Sequence, residues 1–149
     1  LGVKLKLSST KTIVKNKSII LIDDSLVRGT TCHKIVKMLY ESGAKEVHVR
    51  IACPEIKFPD FYGVDMPTKE ELLAHKKNIS EMCEYIKAKS LKFLSLDGLY
   101  KALTDQKRND NYPQFSDHYF TGDYPIKPSD NLKGLEIKQL SLLSGKSNI

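Results

Sequence analysis

In the first third of the chain, a continuous apolar run is followed by a segment whose apolar residues recur at helical spacing. Residues 18–22 read Ser-Ile-Ile-Leu-Ile, which is apolar after its first residue and mostly β-branched, and two acids follow. Such a run is typical of a strand buried on both faces of a parallel sheet. Residues 30–42 place apolar side chains at helical spacing and end before Gly43, a favourable residue after a helix. The pattern predicts a strand followed by a helix.

A second strand follows at residues 47–52, where Val-His-Val-Arg-Ile-Ala alternates apolar and polar side chains before Cys53 and Pro54. Two strands joined by a helix form a βαβ unit, whose strands are parallel. The predicted fold class is therefore α/β with a parallel sheet. Residues 54–68 contain so many Pro and Gly residues that we expect one long irregular segment, and such segments are often functional.

The rest of the chain divides into short elements and a polar end. We predict helices at residues 70–75 and 80–88, the second capped by Ser80. A strand at 91–96 and a final helix, capped by Asp97 and ending at Leu103, follow. Polar residues and Pro dominate 104–131, which predicts an extended, poorly packed segment, and 132–143 could dock as a short helix. We therefore divide the chain into a partial domain, residues 1–104, and a C-terminal tail, residues 105–149.

Composition narrows the class of protein and its partners. Of the 149 residues 40% are hydrophobic and 28% charged, as in an ordinary soluble domain, and the sequence contains no apolar run long enough to span a membrane. The net charge of +6 favours an anionic partner. Because the lysines are scattered along the chain, we expect a phosphorylated small molecule rather than nucleic acid.

The cysteines and histidines indicate neither a disulfide framework nor a metal site. Cys32, Cys53 and Cys83 are widely spaced and include no Cys-x-x-Cys pair, so we expect free thiols in a reducing, cytoplasmic environment. The four histidines lack the spacing found on metal-binding helices.

The candidate chemistry lies where the first strand ends. Asp23 and Asp24 stand at its carboxyl end, the crevice where open α/β sheets bind ligands, and Gly29 precedes the helix. A helix N-terminus offers free N–H donors to a phosphate, Gly29 permits close approach, and the hydroxyls of Ser25, Thr30 and Thr31 add donors. The two acids could accept hydrogen bonds from ribose hydroxyls or hold Mg2+ through water. The alternative is ordinary turn and cap chemistry, and Arg28 could contact the phosphate or point to solvent.

The stretch Ile-Asp-Asp-Ser-Leu-Val-Arg-Gly-Thr-Thr, residues 22–31, resembles the type I phosphoribosyltransferase signature in the form particular to the glutamine phosphoribosylpyrophosphate (PRPP) amidotransferases. The similarity continues through residues 43–47, 54–59, 61–67, 71–74 and 119–125 and, upstream, through residues 2–7, and thus covers nearly the whole chain. It implies that Asp23 and Asp24 contact the ribose of PRPP and its Mg2+. It also implies that Ser25 to Thr31, including Val27, Arg28 and Gly29, surround the 5-phosphate.

The resemblance implies an enzyme, a glycosyltransferase that forms phosphoribosylamine and pyrophosphate in purine biosynthesis, with PRPP or a nucleotide as small-molecule partner and a homo-oligomeric assembly. We expect this chain to lack the family's glutaminase domain and pyrophosphate loop, and we assign it no catalytic residue. Some members hold an iron–sulfur cluster, but Asp60, Ser116 and Tyr119 stand where its cysteines would be. No cluster is expected. The alternative function is a non-catalytic PRPP-binding module or remnant.

Overall fold

The computed structural model describes residues 11–63 and 68–126. Its helices are α1 (Lys11–Val14), α2 (Thr30–Glu41), α3 (Leu73–Lys76), α4 (Ile79–Ile86), α5 (Leu96–Thr104) and α6 (His118–Thr121), with a 3-10 turn at Lys69–Glu71. Its strands are β1 (Ser18–Asp23), β2 (Glu46–Ile51) and β3 (Ser90–Phe93). They form one sheet in the order β1-β2-β3, and both pairs are parallel. The predicted β1–α2–β2 unit is confirmed.

The core of the described residues lies on one face of the sheet. In β2 the side chains of Val47, Val49 and Ile51 alternate with more exposed ones and are buried against the helices. Helix α2 contributes Cys32, Val36 and Leu39, which share one helix face because they are spaced three or four residues apart.

The other face of β1 is exposed in the described part of the chain. In β1, Ile20 is 65% exposed and Ile22 is 72% exposed, whereas Ile19 and Leu21 pack against the core. The prediction that this strand is buried on both faces is therefore wrong for the described part of the chain, because helices cover only one side of it.

Two predicted helix caps are corrected. Helix α4 begins after Asn78, not at Ser80: the Asn78 side chain accepts a hydrogen bond from the Glu81 N–H (3.0 Å), and the Glu81 carboxylate accepts one from the Asn78 N–H (2.8 Å). Helix α5 is capped by Ser95, whose Oγ accepts from the Gly98 N–H, and not by Asp97. In both cases the upstream residue has the extended backbone that lets its side chain reach the third helical N–H.

The helix predicted at residues 70–75 is interrupted. Leu72 adopts an extended backbone (φ −71°, ψ 118°) between the 3-10 turn and α3, and its side chain is fully buried. The Leu73 N–H, instead of continuing a helix, donates to the Val27 carbonyl oxygen at 2.9 Å. A tertiary contact has replaced a local one.

The polar end of the chain is better packed than expected. Asp117 is 3% exposed and His118 is 1% exposed. Arg108 donates to Asp117, Asp110 and Asp123, and the Tyr100 hydroxyl donates to Asp117; we call these five residues the arginine cluster. The prediction of poor packing is wrong for residues 117–121, which are buried or half-buried, whereas most residues of 105–116 are exposed.

Other expectations for this region remain as they were. The boundary at residue 104 stays a prediction, and the helix predicted at 132–143 lies outside the described residues. No helix in the described part of the chain combines the length and apolarity needed to cross a bilayer.

Candidate functional site

The loop between β1 and α2, residues 24–29, follows directly from its flanking elements. Strand β1 ends at Asp23, α2 begins at Thr30, and Leu26, only 2% exposed, anchors the loop in the core. Gly29 has φ 74°, in the left-handed region, and a Cβ there would lie 2.7 Å from Leu73 Cδ2. This position therefore favours glycine for two independent reasons. Residues 23–32 line a cavity of about 300 Å3.

The first turn of α2 has free donors on this loop. No side chain caps the helix, and its first backbone bond to the loop runs from the His33 N–H to the Gly29 carbonyl oxygen. The N–H groups of Thr30, Thr31 and Cys32 consequently have no acceptor among the described residues. Free N–H groups at the positive end of a twelve-residue helix are suited to bind an anion.

The two acids of the loop have local partners in the part of the chain that the structure describes. Asp23 Oδ1 accepts from the Asp24 N–H at 3.1 Å, and Asp24 Oδ1 accepts from the Ser25 hydroxyl at 3.1 Å. Within the described ranges neither carboxylate forms an ion pair, and no group of three or more potential metal ligands is present there. Two carboxylates with free oxygen atoms match a cation that keeps most of its water, as Mg2+ does.

Arg28 has a partner that sequence reasoning missed. Its Nε donates to Glu71 Oε2 at 2.6 Å, across 43 residues of sequence. Both side chains are about half exposed. No local pattern around Glu71 signals this pair, because it depends on the contact that brings α3 against the loop.

Two thiols lie close to the loop. Burial raises the pKa of Cys32 to about 11, and the negative charge of Asp23 adds to the effect. Burial likewise raises the pKa of Cys53 to about 11, with Asp24 contributing. Both thiols are protonated at neutral pH, so neither is a thiolate nucleophile there.

The positions where iron–sulfur ligands would stand come together around a histidine that the sequence did not single out. His118 Nε2 lies 2.8 Å from Asp60 Oδ1, and His118 Nδ1 lies 3.0 Å from Ser116 Oγ. Burial raises the pKa of Tyr119, and its hydrogen bond to Asp60 adds to the shift. These side chains form a group linked by hydrogen bonds.

Known proteins are similar to this chain over most of its length. No protein-family model matches it. An amidophosphoribosyltransferase of Rhizobium etli is 50% identical over 144 residues, which is 96% of this chain and 29% of that protein. One of Staphylococcus aureus is 52% identical over 83% of this chain and 25% of that protein. The chloroplastic amidophosphoribosyltransferase 2 of Arabidopsis thaliana is 43% identical over 99% of this chain.

Solved structures agree with the sequence relatives. The glutamine PRPP amidotransferase of Bacillus subtilis, complexed with ADP and GMP, superposes with a TM-score of 0.74 at 42% identity and covers 83% of this chain. This chain covers 27% of that structure and spans less than a third of the curated relatives described above. The parallel sheet with its helices is thus part of a type I phosphoribosyltransferase-like domain. By these similarities the chain is a homologue of the C-terminal portion of the phosphoribosyltransferase domain of amidophosphoribosyltransferases.

Proposed function

We propose that the β1–α2 loop binds the phosphoribosyl part of PRPP. The 5-phosphate lies on the free N–H groups of Thr30 and Thr31 and on the hydroxyl of Ser25, with Val27, Arg28 and Gly29 completing the loop. One observation carries the proposal. The uncapped N-terminus of α2 lies beside Asp23 and Asp24, which form no ion pair among the described residues, and both line one cavity of about 300 Å3.

Asp23 and Asp24 take the ribose hydroxyls and Mg2+ in this proposal. A bound cation lowers the repulsion between two neighbouring carboxylates, and Mg2+ needs few protein ligands because it retains water. The residues present fit such an ion: two acids with free oxygen atoms lie beside donors suited to a phosphate. Mg2+ would neutralise charge on the ligand, while the loop holds the 5-phosphate.

The reaction proposed for the complete enzyme is the one its relatives' name describes, transfer of an amino group to the phosphoribosyl group of PRPP. We place the enzyme in the cytoplasm as a homo-oligomer. Residues 1–149 alone are proposed to bind phosphoribosyl compounds weakly and not to catalyse, because transfer at carbon 1 also requires groups that hold the pyrophosphate. A non-catalytic PRPP-binding module is the second candidate, because the proposed phosphate loop lies within a single strand–turn–helix unit, β1–α2.

Two measurements test these proposals. Titration of the labelled chain with ribose 5-phosphate, followed by amide chemical shifts, should move Ser25, Thr30 and Thr31 most; shifts confined to residues beyond 104 would contradict the site. Phosphoribosylamine formation from PRPP, ammonia and Mg2+ should be absent with this chain. Turnover that disappears in Asp24→Asn would show a self-sufficient enzyme instead.

A further inference from the structure

The β1–α2 loop is tethered to a segment far away in sequence. The Leu73 N–H donates to the Val27 carbonyl oxygen at 2.9 Å, and Arg28 Nε donates to Glu71 Oε2 at 2.6 Å. The Leu73 side chain also lies where a Cβ of residue 29 would be. The 3-10 turn and the start of α3 therefore support the loop through its backbone and through one charged side chain.

The Arg28 pair leaves most of the guanidinium unused. Only Nε contacts Glu71, and in the described ranges neither Nη group has a hydrogen-bond partner. A guanidinium is planar with its donors in a fixed fork, so a bond at Nε restricts the direction of both Nη groups. Arg28 also lines the loop cavity. Its four remaining N–H donors are therefore restrained beside the place proposed for the phosphate.

The pair is poorly explained by stability alone. The side chains of Arg28 and Glu71 are 54% and 48% exposed, and ion pairs with this exposure contribute little to folding. A long arginine side chain without a partner would, however, lose much rotational freedom when it binds an anion. A carboxylate that already holds the side chain reduces that loss.

We propose that Glu71 is a positioning residue for phosphate binding: it holds Arg28 by Nε so that the two Nη groups face the anion. This inference rests on the proposed function of the loop. It makes a prediction opposite in sign to the competing arrangement, in which Glu71 occupies Arg28 and must be displaced by the ligand. In the first case removal of Glu71 weakens phosphate binding, and in the second it strengthens it.

The affinity for ribose 5-phosphate should separate the two cases. We expect Glu71→Ala to weaken binding about three- to tenfold, and Glu71→Gln, which keeps an acceptor oxygen, to weaken it less. The matched control is Glu70→Ala, because Glu70 belongs to the same turn but forms no ion pair with Arg28 in the described part of the chain. It should change the affinity less than twofold. In an Arg28→Ala background, Glu71→Ala should cause no further loss.

Three results would overturn the positioning role: tighter binding in Glu71→Ala, equal losses in Glu71→Ala and Glu70→Ala, or an undiminished Glu71→Ala effect in the Arg28→Ala background. The Nε–H resonance of Arg28 in the ligand-free chain gives an independent readout. It should shift in Glu71→Ala and stay unchanged in Glu70→Ala, and an unmoved signal would also overturn the proposal. If ribose 5-phosphate moves no loop amide of the unaltered chain, the proposed function fails and the positioning role with it, while the Nε–H signal still reports the pair.

Discussion

Two groups of acidic residues in this chain differ in what surrounds them. In the arginine cluster, Asp117 is buried and accepts hydrogen bonds from Arg108, Tyr100 and Thr121. Burial alone would raise the pKa of Asp117, but these bonds outweigh it and hold the pKa below its usual value. In the β1–α2 loop, the hydrogen-bond donors to Asp23 and Asp24 among the described residues are a neighbouring N–H and a neighbouring hydroxyl.

The difference indicates which acids hold the fold and which can hold a ligand. Both oxygens of the Asp117 carboxylate accept hydrogen bonds from the chain, so a ligand would have to break those bonds. The loop carboxylates retain free oxygen atoms beside free N–H groups of α2, and a ligand can use both without disrupting the fold. The residue type is the same in the two places, and the number of hydrogen bonds that each carboxylate accepts distinguishes them.

The largest expected effect tests the arginine cluster. Arg108→Ala removes the cation from the buried Asp117 and should lower the free energy of unfolding by about 3–5 kcal/mol. Lys107→Ala, at the exposed neighbouring position, should stay within about 0.5 kcal/mol of the unaltered chain. Chemical denaturation followed by circular dichroism measures both. A loss below about 1 kcal/mol in Arg108→Ala would mean that the arginine cluster does not stabilise the fold.

Acid should act on the same group. Because the folded pKa of Asp117 is below its ordinary value of 3.8, the stability it contributes is complete above that value and is lost as the pH falls through the lower folded pKa. The difference in stability between the unaltered chain and Asp117→Asn should therefore shrink as the pH falls below 3.8. A difference independent of pH across this range would contradict the lowered pKa.

Next in size is a change within the loop. Gly29→Ala forces a side chain into the left-handed region and places its Cβ 2.7 Å from Leu73 Cδ2, so we expect a loss of about 3 kcal/mol. Gly63→Ala is the matched control: its φ is 107°, but nothing lies within 4 Å of the added Cβ, so only a backbone cost of about 1–2 kcal/mol is expected. Equal losses in the two variants would mean that Leu73 does not support the loop.

The fold and the candidate loop were predictable to different depths. The β1–α2–β2 unit followed from residue periodicity, since local patterns determine such elements. The loop residues followed from their place at a strand end and from the family resemblance. The Arg28–Glu71 pair and the cluster around His118 depend on contacts across 43 and 58 residues, which periodicity does not encode. The exposure of Ile20 and Ile22 depends on what packs against that face of β1, which a strand's own sequence cannot reveal.

A smaller effect tests whether the acids of the β1–α2 loop bind the ligand. Asp24→Asn should leave the free energy of unfolding within about 0.5 kcal/mol, because Asp24 is exposed and bonds only locally. The same change should reduce Mg2+-dependent affinity for PRPP about tenfold, equivalent to about 1.4 kcal/mol, while the phosphate-induced shifts at Thr30 and Thr31 persist. Loss of stability without loss of Mg2+-dependent binding would place Asp24 among the structural acids.

The smallest expected effect uses Cys32 as a sensor of the Asp23 charge. Burial is the main reason that the pKa of Cys32 is about 11, and the charge of Asp23 adds to it. Asp23→Asn should therefore lower the thiol pKa by only a fraction of a unit, and Mg2+ bound at the loop should lower it similarly. The pH dependence of Cys32 alkylation measures this shift, with Cys53 and Cys83 replaced by Ser. Because the folded pKa lies above the ordinary value of 9.0, the stability contributed by this thiol is complete below pH 9 and is lost as the pH rises toward 11.

Asp117→Asn, which alters the other acidic group, should leave the alkylation profile unchanged. A Cys32 profile that responds to Asp117→Asn but not to Asp23→Asn would contradict the uncompensated charge assigned to the loop.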